Sequence, residues 1–446
     1  MTIKLREITI ENVKNVEGGS IKFKDKGSFL NVVGIYGQNG SGKTTLIDVA
    51  SIIQKLVFNQ TLSTNVSGML TDKIARITTD IEIPGELLLR YIVSLQKISI
   101  DGETKTKVIK EEIQTRVLEK YKKIKHLAIY DCSDKELLTL NVQEKAGSQD
   151  ALQIISDVAT DSQTSFLFSN SFRKLIHNKN KSLEKNSFYE LYNALDVFTQ
   201  FARNLRIYTS EFAGLISANI FAPVSINYRK DDREFHGVLP FKLRGESGFV
   251  PKSNIPLYES VIKQINILLP EIIPGLTLDM TQQEIRLDQD GKEEVRLEFI
   301  SRRGNAKFSL HYESDGIKKI IAMINFLVEV YNDENIIAFI DELDAGVYEY
   351  LLGELISVMS TGAKGQLIFT SHNLRILEML DTNKIIVSTV NPQNRYIRLK
   401  GVKGSNNLRD FYLRTIQLSG QEEELYQGKS AGAIRIALMK AGREIG

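Results

Sequence analysis

Apolar positions change their spacing several times along the chain, and each change predicts a different element. Leu30 to Ile35 is a short apolar run with two valines, the pattern of a strand buried in a parallel sheet. Ile336 to Ile340 repeats it, and so does "GQLIFTSHNLRILEML", where an apolar strand gives way to a polar turn and a helix. After the first run the period falls to two. "ARITTDIEIPGELLLRYIVSLQKISI" alternates around Pro84-Gly85, and "KVIKEEIQTRV" and "KHLAIYDC" continue as antiparallel strands. From about 148 to 218 the spacing turns helical, through "DALQIISDVA", "FSNSFRKLIHN" and "SFYELYNALDVFTQFARNLRIYTSEFAGLI". "IPLYESVIKQINILLPEI" is a further helix, and "LTLDM", "EIRLDQDGKEEVRLEFI" and "AKFSLHY" return as strands. At the N-terminus "IKLREITIENVKNVEGGSIKF" predicts two strands around a turn at Gly18-Gly19. Beyond the last core strands, "NKIIVSTV" and "RYIRLKGV", short helices are expected in "NLRDFYLRTI" and "SAGAIRIALMKAG".

These elements predict an α/β chain in four parts. Residues 1–145 form one half of a head with an antiparallel subdomain, and 146–275 a mainly helical insertion. Residues 276–400 complete the head, and 401–446 form a helical tail. A length of 446 residues agrees with more than one core.

Composition removes several function classes. Apolar residues make up 42% and charged residues 25%, as in soluble globular proteins. The single cysteine, Cys132, excludes a disulfide framework and a cysteine-based zinc site, and fits a reducing cytosol. The N-terminus has charge within its apolar pattern and no small-residue cleavage site, so a secretory signal is not expected. "IIAMINFLVEV", the longest apolar stretch, is too short to span a bilayer. A net charge of +2 supplies no global argument for nucleic acid. A cytoplasmic protein without a membrane partner is expected.

The strongest chemical signal follows the first apolar run. Gly37-Gln38-Asn39-Gly40-Ser41-Gly42-Lys43-Thr44, with Thr45 after it, is a full G-x-x-x-x-G-K-T between a predicted strand and a helix from about Thr44 to Leu56. The glycines let the backbone fold into a nest of N–H groups, with a helix N-terminus behind it. Lys43 is expected to reach the β- and γ-phosphates, and the Thr44 hydroxyl to ligate Mg²⁺. The Ile336 to Ile340 run, read as a strand beside the phosphate-loop strand, ends in Asp341-Glu342. Asp341 should hold the metal, and Glu342 should polarise the attacking water. Two acids at a strand end also serve as helix caps.

Together these motifs resemble the OLD/RecF/SMC-like ABC-type ATPases, and both halves of the predicted head share in the resemblance. It implies a P-loop head with a mixed sheet, ATP and Mg²⁺ as ligands, and ATP hydrolysis. It also implies several residue roles. His372 in Phe369-Thr370-Ser371-His372-Asn373 matches the family's switch histidine. Asp344 matches an acid that acts across a dimer. Residues near Asn12 and Lys14 would approach the nucleotide, and Gln96 could be the metal-sensing glutamine or a strand-surface residue. Tyr348-Glu349 replaces a His-Pro usual in OLD-like members.

The family's signature loop precedes its Walker B strand. "LSGQ", Leu418 to Gln421, follows Asp341 and is therefore out of order. The right position holds Glu313-Ser314-Asp315-Gly316, similar to the Glu-Ser-x-Gly-x-Lys signature of OLD-like members. It opens an amphipathic helix with apolar residues at 317, 320, 321, 324, 327 and 328. Ser314 and the Gly316 N–H at a helix start suit an anion, and Lys318 and Lys319 are expected to add positive charge. A signature acts on ATP held by another protomer, so a homo-oligomer, at least a dimer, is implied.

Within the group, an ATPase with a modest helical insertion and no room for a nuclease domain most resembles the ATPase subunits of bacterial anti-phage systems. PARIS is the nearest in architecture and Septu a neighbour. That resemblance implies a separate effector, a TOPRIM-type nuclease, and a phage-encoded trigger. The basic segment 172–185, with Arg173, Lys174, Lys179, Lys181 and Lys185, could contact nucleic acid or an acidic trigger, or be an exposed helix end and loop. Two other readings are a RecF-like DNA-repair or DNA-clamping ATPase and a transport ATPase, the latter opposed by the OLD-like signature and the large insertion.

Overall fold

The computed structural model describes the chain except residues 101, 120–121, 142–144, 182–186, 210–221, 231–232, 242–248, 402–406, 419–420, 429 and 445–446. Its centre is a sheet in the order Leu205–Tyr208, Ile337–Ile340, Gln366–Thr370, Val32–Tyr36, Ile385–Ser388 and Tyr396–Ile397. All neighbours run parallel except the last pair. Every residue of Val32–Tyr36, Ile337–Ile340 and Gln366–Thr370 is buried, which explains their continuous apolar runs.

Successive side chains of these strands enter opposite cores. Val33, Ile35, Ile337, Phe339 and Ile368 face one core, shared with the antiparallel sheet and the insertion helices. Val32, Tyr36, Ala338, Ile340, Leu367 and Phe369 face the other, shared with the helices Ile255–Ile272, Asp315–Asn332 and Glu349–Gly362. The α/β class and P-loop head expected from the pattern are therefore present.

The antiparallel sheet runs in the order Leu138–Leu140, Lys125–Asp131, Glu103–Val117, Leu87–Ile100, Ala75–Ile83, Lys4–Val13 and Val16–Lys22. Gln366 fastens it to the central sheet: its side-chain amide donates to the Leu5 carbonyl, and its amide oxygen accepts from the Leu5 N–H. The Lys4 ammonium adds bonds to the carbonyls of Glu334 and Lys364.

Three expectations are corrected. The first hairpin turns at Lys14-Asn15, where Val13 pairs with Val16, not at Gly18-Gly19. Gly18 and Gly19 lie inside the second strand. A Cβ at Gly18 would stand 2.7 Å from the Gln393 carbonyl oxygen, and one at Gly19 2.6 Å from the Tyr396 ring. These glycines permit close approach of another segment. Second, Ile337–Ile340 is not beside the phosphate-loop strand, because Gln366–Thr370 lies between them. Third, the helical reading fails at Leu205–Tyr208, a strand pairing with Ile337–Ile340 inside the region expected to be insertion. Its apolar residues satisfy either period, and the sheet edge decides between them. Residues 210–218 of that reading lie outside the described residues.

The insertion helices are Gln149–Asp161, Asn170–Lys181 and Ser187–Asn204. The strands Phe249–Pro251, Leu276–Leu287, Glu293–Arg303 and Ala306–Ser309 form a separate small sheet. The tail holds the helices Leu408–Leu418 and Ala431–Glu444. No helix among the described residues is long and apolar enough to cross a membrane.

Candidate nucleotide site

The phosphate loop is shaped by glycines in conformations that other residues rarely adopt. Gly37, Gly40 and Gly42 have φ of 150°, 77° and 88°. Gly37 is also sterically required, since a Cβ there would lie 2.0 Å from the Ser388 hydroxyl. Gly42 is the N-cap of the helix Lys43–Val57 and offers no side-chain cap, which leaves the first N–H groups of that helix for an anion. The loop is braced from behind. The Tyr396 hydroxyl donates to the Gly42 carbonyl at 2.6 Å, and the Ser41 hydroxyl donates to the Gln38 carbonyl at 2.7 Å.

Lys43 is buried, and its ammonium donates to the carbonyls of Gly37 and Gln38 at 3.0 Å each. Burial lowers its pKa, opposed by the charges of Asp341, Glu342 and Asp344. The Thr44 hydroxyl stands 3.3 Å from Asp341 Oδ1, which also accepts from the Thr370 hydroxyl at 2.6 Å. Asp341 is fully buried, and its Oδ2 has no hydrogen-bond partner. A buried carboxylate oxygen left without a donor is the feature a bound cation would satisfy. Thr44 and Asp341 are oxygen ligands of the kind Mg²⁺ takes, with phosphate and water completing its shell. The residues present therefore fit that ion.

Glu342 follows in a left-handed conformation, φ 48°, and is exposed. Its N–H donates to the Thr370 hydroxyl at 2.7 Å, so Thr370 joins both acids. The His372 N–H donates to Asp344 Oδ2 at 3.0 Å. Partial burial, then the Lys43 cation, lowers the His372 pKa below the ordinary histidine value, against the pull of Asp344, Glu342 and Asp341. The ring is therefore neutral at pH 7.

These groups meet in one cleft of about 410 Å³, lined by Asn39, Gly40, Gly42, Lys43, Thr44, Thr45, Asp341, Glu342, Thr370, His372, Lys14 and Asn15. Gly37, Gln38 and Ser41 do not line it. Lys14 lines the cleft and its ammonium pairs with Asp48. Asn12 instead donates to the Ile74 carbonyl and does not reach the cleft. Asn15 and Thr370 went unassigned in the sequence. Locating the hairpin turn at Lys14-Asn15 identifies Asn15, and the polar end of the third apolar run identifies Thr370. Gln96 lies in the strand Leu87–Ile100, outside the cleft.

Ser314 caps the helix Asp315–Asn332, accepting from the Ile317 N–H at 3.4 Å, and it is exposed. It does not line the cleft of its own chain. A Cβ at Gly316 would stand 1.8 Å from the Gly346 carbonyl oxygen, so the helix start is pressed against the loop after Glu342. The expected positive charge is corrected: both lysines turn inward, Lys318 to the His311 carbonyl at 2.7 Å and Lys319 to the Glu342 carbonyl.

A family model described as "AAA domain, putative AbiEii toxin, Type IV TA system" matches residues 32–378. The chain belongs to this family. The match spans the phosphate loop, the two acids and His372, which are the groups gathered in the cleft. No curated protein matches the chain. Among solved structures, it is similar to the Smc head domain with a coiled coil and joint from Pyrococcus yayanosii, at 12% identity over 93% of this chain and 100% of that one, with a TM-score of 0.43. The SMC head domain from Thermotoga maritima is 15% identical over 89% and 99%, with a TM-score of 0.36. The ATP complex of the recombination mediator RecF is 13% identical over 83% and 93%, with a TM-score of 0.31.

Gln421 of the out-of-order "LSGQ" does not line the cleft. Gln421 exchanges two hydrogen bonds with the Lys400 backbone at 2.9 Å each, and Glu422 pairs with the Lys400 ammonium. Ser419 and Gly420 lie outside the described residues. Within the basic segment, Arg173 turns to the Thr199 hydroxyl at 3.1 Å, and Lys185 lies outside the described residues.

Proposed function

We propose that the protein binds and hydrolyses ATP with Mg²⁺ and works as an ATP-bridged homo-oligomer. The observation carrying this reading is Asp341, a fully buried acid with one oxygen unsatisfied, in a cleft shared with Lys43, Thr44, Glu342 and His372. Lys43 and the N–H groups of the glycine loop bind the phosphates. Thr44 and Asp341 hold Mg²⁺, which supplies charge neutralisation at the phosphates. Glu342 orients water, and the neutral His372 hydrogen-bonds at the terminal phosphate.

Bridging is supported by the exposed cap at Ser314, which stands outside the cleft of its own chain. A second copy's triphosphate fits there, at a helix N-terminus. Glu342→Gln should bind ATP, hydrolyse it poorly and accumulate as an oligomer with ATP. Light scattering behind gel filtration checks this, and an unchanged mass on adding ATP would reject the bridge.

At the level of biology we propose a sensor or regulator of a separate effector, of TOPRIM-nuclease type, in anti-phage defence, released by a phage-encoded trigger. The family description names a toxin of a toxin–antitoxin system; the separate nuclease and the phage trigger rest on the resemblance to anti-phage ATPase subunits. Co-purification with a neighbouring nuclease, lost on adding the trigger, tests it. Hydrolysis stimulated by DNA instead would favour a DNA-clamping ATPase.

A further inference from the structure

Glu342 adopts a backbone conformation that L side chains rarely take, so the groups that hold it there matter. Three donors do so. Thr370 Oγ1 accepts from the Glu342 N–H, and the Glu342 carbonyl accepts from the Ala345 N–H at 3.0 Å and from the Lys319 ammonium. The first two arise within the strand ends and the turn itself. Lys319 comes from elsewhere: it is the fifth residue of the helix Asp315–Asn332, whose cap is Ser314. Its side chain is buried, among the charges of Asp341, Glu342 and Asp344. A buried ammonium is expensive unless paired, so its place is specified by these partners. The same helix meets the same loop a second time, where Gly316 presses on the Gly346 carbonyl. The helix start therefore touches the 342–346 loop at two points, one of them Glu342 itself.

We propose that Lys319 is a positioning residue for Glu342: it fixes the Glu342 carbonyl and so aims the carboxylate, and it ties that aim to whatever occupies the helix start at Ser314. The inference rests on Glu342 being the group that orients water. It gives the second lysine of "DGIKK" a task in its own chain, not on a partner's phosphate. It also makes contact at Ser314 by a second copy felt at Glu342 of the chain that supplies Ser314.

The test compares wild type, Lys319→Met, Lys319→Gln, Glu342→Gln and the Lys319→Met/Glu342→Gln double variant. Steady-state hydrolysis yields kcat and KM, titration with a fluorescent ATP analogue yields affinity, and circular dichroism reports folding. Lys319→Met should lower kcat about tenfold or more while KM and affinity stay within about twofold, because only an interaction acting after binding is lost. Added to Glu342→Gln it should cause no further loss, since both changes disable one group. An unchanged kcat, an equal fall in affinity, or losses that multiply in the double variant would overturn the proposal. A purely structural lysine predicts those outcomes. If Lys319→Met does not fold, Lys319→Gln is read by the same split, with a fall in kcat supporting the proposal and an unchanged kcat overturning it. Wild-type turnover in Glu342→Gln overturns the reading beneath the inference, and the inference with it. The Lys319 outcomes overturn the inference alone.

Discussion

Glu111 and Asp341 are both fully buried, yet their surroundings differ. Glu111 accepts four hydrogen bonds, from the Tyr91 hydroxyl at 2.5 Å, the Ser165 hydroxyl at 2.6 Å and the N–H groups of Phe166 and Leu167 at 2.7 and 3.0 Å. Both of its oxygens are engaged. It joins the antiparallel sheet to the turn before the helix Asn170–Lys181. Burial raises its pKa, and the hydrogen bonds from Ser165, Tyr91, Leu167 and Phe166 oppose the rise. Asp341 has two hydroxyls on one oxygen and no hydrogen-bond partner on the other. Burial alone therefore does not mark a site. A buried acid whose bonds are complete is a structural joint, and one left incomplete at the wall of a cleft calls for a ligand.

The comparison can be broken in order of effect. Asp341→Asn should lower turnover on the order of 10²–10³-fold, as loss of a preorganised charge contact does. It should also abolish the response of hydrolysis to Mg²⁺. Its melting temperature should change little, because the oxygen replaced has no hydrogen-bond partner and Glu342 and Asp344 remain near the Lys43 and Lys319 ammonium groups. Hydrolysis against Mg²⁺ concentration, with a thermal melt alongside, measures both. Glu111→Ala should do the reverse. It leaves two hydroxyls and two N–H groups without their acceptor and should cost about 3 kcal/mol of stability, with ATP affinity unchanged. A melt and a nucleotide titration on that variant decide the matter, and a turnover defect without destabilisation would erase the distinction.

The smallest effect is expected at His372, an exposed member of the cleft. His372→Ala should lower kcat about tenfold, the size of one hydrogen bond. Its pKa lies below the ordinary value because partial burial and Lys43 disfavour the cation. Lowering pH through 7 should therefore leave the ring neutral. The rate difference between wild type and His372→Ala should persist there and change only on the acid side of about 6.5. A pH–rate profile of both proteins tests the sign, and a change centred above 7 would contradict it.

Much of this site was legible as residues. The glycine loop, Lys43, Thr44, Asp341, Glu342 and His372 sit at the ends of apolar runs, and a buried parallel strand leaves few other patterns. The misreadings share one cause. Gly18-Gly19 carries a turn signal in sequence, but these glycines serve the close approach of Gln393 and Tyr396. Leu205–Tyr208 is short and apolar enough for either period, and only pairing with Ile337–Ile340 makes it a strand. Lys318 and Lys319 count as surface charge until the helix is packed, when both prove buried. Asn15 and Thr370 reach the cleft through a turn and a strand end whose positions depend on their neighbours.

Local features follow from the chain alone: the apolar periods, the phosphate loop between strand and helix, and the order that sets Ser314 ahead of Asp341 and "LSGQ" behind it. These depend on spacing within a few residues, where backbone geometry is repetitive. The tertiary structure alone decided which strands are neighbours, which of two buried acids is left incomplete, and where the lysines of the helix Asp315–Asn332 point. Those outcomes depend on contacts between residues hundreds of positions apart, such as Thr44 with Asp341, and no local pattern encodes the donors that burial will bring to an acid.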